Sequence, residues 1–528
     1  MEIQLYDTTL RDGAQQEGIS LSAEDKLKIT RKLDDLGVHY IEGGWPGSNP
    51  KDVEYFQRVK ALSLSNARIA AFGSTRRAGV RVEDDGNIQA LLGAETPAVT
   101  LVGKSSDLHV RRVLETTLEE NLAMIADSVS FLKRQGRTVF FDAEHFFDGF
   151  KSNPEYALQS VKVAAEAGAG CLVLCDTNGG ALTEEISDMV SRVGQEVKTP
   201  LGIHCHNDAD MAVANTLAAV MVGATQVQGT VNGYGERCGN ANLLSIIANL
   251  KVKMGIPCVT DEQLAGLTEA SHYISEIVNI PPNGQQPYVG FSSFSHKGGL
   301  HASAMAKVEE SYQHISPEVV GNTKRVVISE LSGRGNIQQR LKELGLDDRV
   351  SREQIVGLLD RIKVQESKGF QYEGAAASFE LMVRRSLGGY RPPFDLVDFM
   401  VQVENRRRTS VNDDQEDMLA EAVVKVRVGS QVMHTAAEGN GPVNALDNAL
   451  RKALLEFYPS LDAVRLLDYK VRVVAQGQDT SAVVRVLIES TDGKSQWQTV
   501  GASANIIEAS WMALADSLEY FLIRQGRG

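Results

Sequence analysis

His204 and His206 stand two residues apart in Leu201-Gly-Ile-His-Cys-His-Asn207, a run otherwise built like a buried strand. Side chains on a strand alternate faces, so both imidazoles leave on one side and Cys205 on the other. That is how a strand end holds a metal. The alternative is a pair of ordinary hydrogen-bonded histidines. What the rest of the chain brings to the same place decides between them.

Stepping outward from that run, the first 250 residues alternate short apolar runs with amphipathic segments. The runs are Ile3–Tyr6, Tyr40–Ile41, Ile69–Phe72, Val99–Val102, Val139–Phe141, Leu172–Leu174, Ile203–His206 and Val227–Val231. The first intervening segment opens at Ser22 with Asp25 three residues on, carries Leu27, Leu33 and Leu36, and closes at Gly37, the start and stop signals of a helix. Eight strands separated by helices predict a (β/α)8 TIM barrel.

Polar residues follow each run: Arg11 and Asp12, then Glu42, Ser74, Lys104, Glu144, Thr177, the two histidines, and Asn240. All lie toward carboxyl ends of strands, which in a closed barrel form one mouth. Ser74 and Lys104 read as ordinary loop residues. Asp12, Glu144, His204 and His206 together offer oxygen and nitrogen ligands for a divalent metal and a carboxylate free for proton transfer.

Composition narrows the function class. With 43% hydrophobic and 23% charged residues in 528, the chain is that of a globular protein of two or three units. A formal net charge of -14 argues against nonspecific binding to nucleic acid or an anionic membrane. No apolar run is long enough to cross a bilayer, and Met1-Glu-Ile-Gln-Leu-Tyr6 starts as a strand without a basic, apolar leader, which predicts a cytoplasmic protein. Five cysteines in mostly apolar surroundings fit a reduced compartment.

Asp7-Thr-Thr-Leu-Arg-Asp-Gly13, Glu42, His204-x-His206 and Gly235-Glu-Arg-Cys-Gly-Asn240 resemble the metal-dependent Claisen-condensing family of 2-isopropylmalate, homocitrate and citramalate synthases, related to hydroxymethylglutaryl-CoA lyase. Within it, Ile41–Asp52, Gly103–His109 and Phe141–Gly149 look most like the citramalate branch. The resemblance implies condensation of acetyl-CoA with pyruvate; 2-isopropylmalate synthesis from 2-oxoisovalerate is the rival. A catalytically silent barrel that only senses or scaffolds is the alternative of another class.

The same resemblance makes Asp12, His204, His206 and Asn240 ligands of Mg²⁺ or Mn²⁺, with Zn²⁺ a third option. It places Arg11 beside the acceptor's keto oxygen, with Glu42 holding Arg11. Thr177 would hydrogen-bond the acceptor carboxylate, Gln15 would line the pocket, and Glu144 would stand where acetyl-CoA loses a methyl proton. Asp142 occupies a position that is often Ser or Tyr in relatives, so the acceptor pocket is expected to differ there. By resemblance too, His301 and Tyr312, in a small subdomain reaching a neighbouring subunit's site, assist the proton relay or the thioester-cleaving water; relatives often carry an acid where this chain has Ser303.

The barrel is thus expected over residues 1–260, linker subdomains over 261–389, and a further domain over 390–528. Helices are read at Ile337–Leu344 and Arg352–Gln365, a strand at Leu396–Val403, and a charged turn at Glu404–Glu416. The last domain reads as α+β with an internal repeat: Ala422–Val428 aligns with Ala482–Ile488, with Thr491–Lys494 lengthening the second hairpin, and each copy ends in a helix, Val443–Phe457 and Ile506–Leu522. In the resembling family this domain binds the end-product amino acid, here isoleucine, so Gly441, Ala504 and Ile506 are expected at a regulatory site in a homodimer. A dimerisation module without ligand is the simpler reading.

Overall fold

The computed structural model describes residues 2–296, 304, 308, 311–323, 325–326, 334–372, 375–387, 389–404, 419–474 and 482–526. The chain divides into two compact units, Met1–Phe294 with Ile315–Lys324, and Ser295–His314 with Arg325–Gly528.

The first unit is a closed parallel barrel: β1 (Gln4–Asp7), β2 (Tyr40–Gly44), β3 (Arg68–Ser74), β4 (Ala98–Lys104), β5 (Thr138–Glu144), β6 (Cys171–Asp176), β7 (Leu201–Cys205) and β8 (Gln226–Gly229), with β8 pairing back to β1. All eight predicted runs are strands of the barrel, and each strand is buried along most of its length, as a sheet covered on both faces requires. The first helix, Ala23–Asp35, has Ser22 and Asp25 in a reciprocal capping box, and Gly37 follows it in the left-handed region at φ +82°. The barrel core continues past residue 260, since Leu267, Ala270, Ile274 and Val278 of the helix Leu267–Val278 belong to it.

The second unit contains the strand pair β9 (Ser295–His296) and β10 (Arg325–Val326), then helices Arg334–Glu343, Arg352–Ser367 and Ala376–Ser386. Two three-stranded antiparallel sheets follow: β11 (Asp395–Glu404), β12 (Leu419–Val428) and β13 (Gln431–Gly439), and β14 (Arg465–Val473), β15 (Val484–Thr491) and β16 (Gln496–Ser503). Each sheet is followed by a helix, Pro442–Leu454 and Ile506–Arg524. Most of the turn expected at 404–416 lies outside the described residues.

The repeat is present, but its register differs from the sequence alignment. Val424 pairs with Thr435, and Ile488 pairs with Thr499. Thr435 donates to the carbonyl of Ala449 at 2.8 Å, and Thr499 to that of Ala513 at 2.7 Å. Val424 therefore corresponds to Ile488, not Val484, and the second hairpin needs no insertion. The sequence match slipped by four residues, an even number, and a strand's side-chain period of two hides such a slip because the same face stays buried.

No helix among the described residues is long and apolar enough to cross a membrane.

Candidate active site

The loop after β1 carries Arg11 and Asp12. Asp7 holds this loop: its carboxylate accepts from the Thr9 amide at 2.9 Å and hydroxyl at 2.7 Å, while Thr9 Oγ1 accepts from the Val231 amide at 2.9 Å. Burial, only partly offset by those hydrogen bonds, pushes the Asp7 carboxyl up to about 7.

At the end of β7, His204 Nε2 lies 3.3 Å and His206 Nε2 3.9 Å from Asp12 Oδ2, and the two Nε2 atoms are 3.4 Å apart. All three residues are buried and form a cluster of metal-ligating type, with the ligand atoms within 4.8 Å of one another. Burial opposes charge on Asp12, but Arg11 and the two imidazoles outweigh it and hold the carboxyl far below its usual range. Burial, with His204 alongside, lowers His206 to about 4. His204 shifts the other way: burial would lower it, but its hydrogen bond to Asp12 and the Asp12 charge outweigh burial and raise it. Of the three, Asp12 and His206 alone shift toward the protonation states a metal ligand needs.

Asn240 reaches this corner through the glycine-rich loop after β8. It pairs with His206 in an isolated antiparallel bridge, and the Asn207 amide donates to the Gly239 carbonyl at 2.9 Å. A Cβ on Gly239, at φ +87°, would meet the Gly233 oxygen at 2.1 Å, and one on Gly235 would meet Asn240 Nδ2 at 2.2 Å, so this fold of the loop needs glycine at both. Asn240 Nδ2 donates to the Tyr234 carbonyl, whereas its buried Oδ1 has no hydrogen-bond partner. An orphaned buried carbonyl oxygen beside one carboxylate and two imidazoles fits a divalent cation.

Arg11 is fixed on three sides. Its Nε donates to Glu42 Oε1 at 2.5 Å, its NH1 lies 3.4 Å from Asp12 Oδ2, and its guanidinium carbon sits 3.8 Å over the Phe72 ring. Glu42 on β2 is fully buried and also accepts from the Tyr6 hydroxyl at 2.6 Å.

Arg11, Asp12, His204 and His206 open onto one cavity of about 450 Å³ at the barrel mouth, which Gln15, Asp142, Glu144, Thr177, Ser74 and Lys104 also line; Glu42 and Asn240 stand behind that wall. Lys104 and Ser74, which pass for loop residues in the sequence, are therefore part of the cavity wall. Lys104 Nζ is ion-paired with Glu144, so that carboxylate is not free in this state, and the hydroxyl of Thr177 accepts from the His145 amide at 2.8 Å. Burial, then the Glu42 charge, pushes Asp142 up to about 7.

Phe72 and Cys175 also face the cavity and carry no signal in the sequence beyond lying near strand ends; Trp45 and Glu236, which face it too, lie within stretches that carry the family resemblance but are not singled out by it. Tyr312 is described, belongs to the second unit and is 43% exposed. His301 and Ser303 lie outside the described residues. Gly441 precedes the helix Pro442–Leu454, and Ala504 and Ile506 flank the start of the last helix.

A parallel eight-stranded barrel with a carboxylate–imidazole cluster and an anchored, partly buried arginine at its mouth defines a lyase- or synthase-type TIM-barrel enzyme. Family comparisons give the same class: the HMGL-like family model matches residues 2–274, a homocitrate synthase post-HMGL domain-like model 288–369, and a LeuA allosteric (dimerisation) domain model 373–522. The chain belongs to the (R)-citramalate synthase family. It is 53% identical to the (R)-citramalate synthase of Geobacter sulfurreducens, over 98% of this chain and 97% of that one. Identity to the enzyme of the same name from Aquifex aeolicus is 52%, over 99% and 98%. A "Probable 2-isopropylmalate synthase" of Methanopyrus kandleri is 33% identical over 96% of each.

Proposed function

We propose that this chain joins the methyl carbon of acetyl-CoA to the keto carbon of pyruvate and, with water, releases (R)-citramalate and CoA. The observation that carries this reading is the meeting of Arg11, Asp12, His204 and His206 in one cavity at the barrel mouth, in a chain alike over nearly its whole length to proteins named for that reaction.

Asp12, His204, His206 and Asn240 are the residues that would hold Mg²⁺ or Mn²⁺. Bound there, the cation polarises the acceptor's carbonyl and orients the 2-oxo acid. Arg11, locked by Glu42 and by Phe72 beneath it, supplies a guanidinium that needs no reorganisation to oppose the charge growing on the keto oxygen. Thr177 Oγ1 already accepts from His145, which leaves its O–H to donate to the acceptor's carboxylate. Glu144, parting from Lys104, takes the methyl proton. His301 and Tyr312 would assist the proton relay or the thioester-cleaving water in a neighbouring subunit's site, as the family resemblance implies, and Gln15 and Asp142 shape the acceptor's end of the cavity.

The 373–522 match to an allosteric and dimerisation domain supports a homodimer under allosteric control, with isoleucine as the proposed effector because it is the end product of the branch the sequence resembles. Free thiols at all five cysteines, four of them buried, support a cytoplasmic setting. Thiol release from acetyl-CoA against a panel of 2-oxo acids tests the reaction: no CoA release with any 2-oxo acid would favour the silent-barrel reading.

A further inference from the structure

We infer that Gln228 and Asp142 are positioning residues that hold His204 in the tautomer a metal ligand requires. The inference rests on the metal-site reading above, and goes beyond it to residues that touch no cation. His204 on β7 and Gln228 on β8 are direct partners across the parallel pair. The Gln228 side chain is fully buried and bridges two groups: its Oε1 lies 2.9 Å from His204 Nδ1, and its Nε2 donates to Asp142 Oδ1 at 3.2 Å. Asp142 comes from β5, on another part of the barrel wall.

With Asp142 ionised, the chain of donors and acceptors runs in one direction. The carboxylate oxygen accepts, so the carboxamide turns its NH₂ toward Asp142 and its carbonyl toward His204. A carbonyl there accepts only from a protonated Nδ1. With Nδ1 protonated, Nε2 is the nitrogen that would offer its lone pair to a cation, and it lies 3.3 Å from Asp12 Oδ2 and 3.4 Å from His206 Nε2. His206 lacks such a device: its Nδ1 is buried without a hydrogen-bond partner. The two imidazoles are thus unequal, His204 fixed by the barrel interior and His206 fixed by the cation once bound. Hydrogen-bonded partners of this kind set ring orientation and tautomer, and their loss costs about 10–100-fold in metal affinity.

The test uses the full chain with Gln228→Met, which keeps length and loses both hydrogen bonds, and Asp142→Asn, whose amide oxygen still accepts from Gln228. Mn²⁺ affinity is read by the electron-paramagnetic-resonance signal of free Mn²⁺, and the His204 tautomer by long-range proton–nitrogen spectra of histidine-labelled protein at alkaline pH. Melting of chelated protein monitors the fold. Expected are a protonated Nδ1 on His204 in the unsubstituted protein, a loss of about 10–100-fold in Mn²⁺ affinity for Gln228→Met, and retention of most of it for Asp142→Asn. Equal Mn²⁺ affinity for Gln228→Met, or a proton on Nε2 of His204 in the unsubstituted protein, overturns the inference. If Gln228→Met fails to fold, the tautomer measurement alone decides. Absence of Mn²⁺ binding by the unsubstituted protein would instead overturn the metal-site reading, while the tautomer still reports on Gln228.

Discussion

Glu42 receives the Nε–H of Arg11 at 2.5 Å on one oxygen and the hydroxyl of Tyr6 at 2.6 Å on the other, inside a barrel where Glu42 has no exposure to water. This pairing points the guanidinium at the cavity and commits Nε, while NH1 lies toward Asp12 at 3.4 Å. Arg11→Ala should lower kcat by about 10²–10³, the range for losing one preorganised donor to a developing oxyanion, while Mn²⁺ still binds. Glu42→Gln should lose less, because the amide oxygen can still receive Nε–H. Measured kcat and Mn²⁺ affinity for the two variants check this; an Arg11→Ala enzyme with unchanged kcat would remove arginine from the chemistry.

Metal removal is the second prediction. Dialysis against a chelator should abolish turnover, and Mg²⁺ or Mn²⁺ should restore it. Asp12→Asn should weaken Mn²⁺ binding, since it removes the only carboxylate of the cluster, Asp12, His204 and His206, that the described residues form. Full activity after exhaustive chelation would sink the assignment.

Pyruvate should be the preferred acceptor. The cavity of about 450 Å³ also has to admit the acetyl end of the donor, and Phe72, which carries Arg11 on its face, cannot yield to a bulkier acid without displacing that arginine. Exclusion by overlap discriminates more strongly than the roughly 1–3 kcal/mol available from one missing methylene. A higher kcat/KM for 2-oxoisovalerate than for pyruvate would reassign the chain to the isopropylmalate reaction.

Much of this was legible before any coordinates, for physical reasons. Strands buried on both faces leave continuous apolar runs, so β1 to β8 stand out, and Ser22 with Asp25 marks a helix start through hydrogen bonds that need those residue types. The cavity wall was only half legible. Lys104 reads as a solvated loop lysine until β4 and β5 pair it beside Glu144. Gln228 gives no signal at all, because a glutamine in a short buried strand acquires meaning only from the partner across the sheet. The slipped repeat has the same origin: alternation fixes which face is buried, and only hydrogen bonds such as Thr435 to Ala449 fix the register.

Acidification should loosen the barrel mouth through His145. This residue sits in the left-handed region at φ +58°, stacks on His109 with centroids 3.6 Å apart, and buries an Nδ1 without a hydrogen-bond partner. Burial, then the neighbouring His109, lowers it from 6.5 to about 4. Above 6.5 both folded and unfolded chains carry it neutral and it contributes no slope; between 6.5 and 4 only the unfolded chain takes the proton, so stability falls as pH falls through that window. His145→Asn, which tolerates the left-handed backbone, should flatten this part of the profile. Urea midpoints at three pH values across the window check it; parallel profiles for the two proteins would refute the role.

Isoleucine should inhibit through the second unit. The two sheets place equivalent junctions ahead of equivalent helices, with Gly441 before Pro442–Leu454 and Ala504 and Ile506 at the start of Ile506–Arg524. Amides at helix starts receive a carboxylate well, and a repeat supplies two such starts. Inhibition further requires that the effector bind one state of the enzyme better than another, with a coupling of about 1–3 kcal/mol. The positions allow a clean test. Nothing lies within 4 Å of a Cβ added at Gly441, whose backbone is extended, Ala504 is exposed, and Ile506 is 43% exposed, so charged substitutions there should leave the fold and the uninhibited kcat close to normal. Gly441→Asp, Ala504→Asp and Ile506→Asp should each raise the isoleucine concentration needed for half inhibition, by about 5–150-fold if the coupling is lost. If leucine rather than isoleucine binds the full chain by calorimetry and inhibits it, the sensor reading moves to the isopropylmalate branch and takes the preference for pyruvate with it.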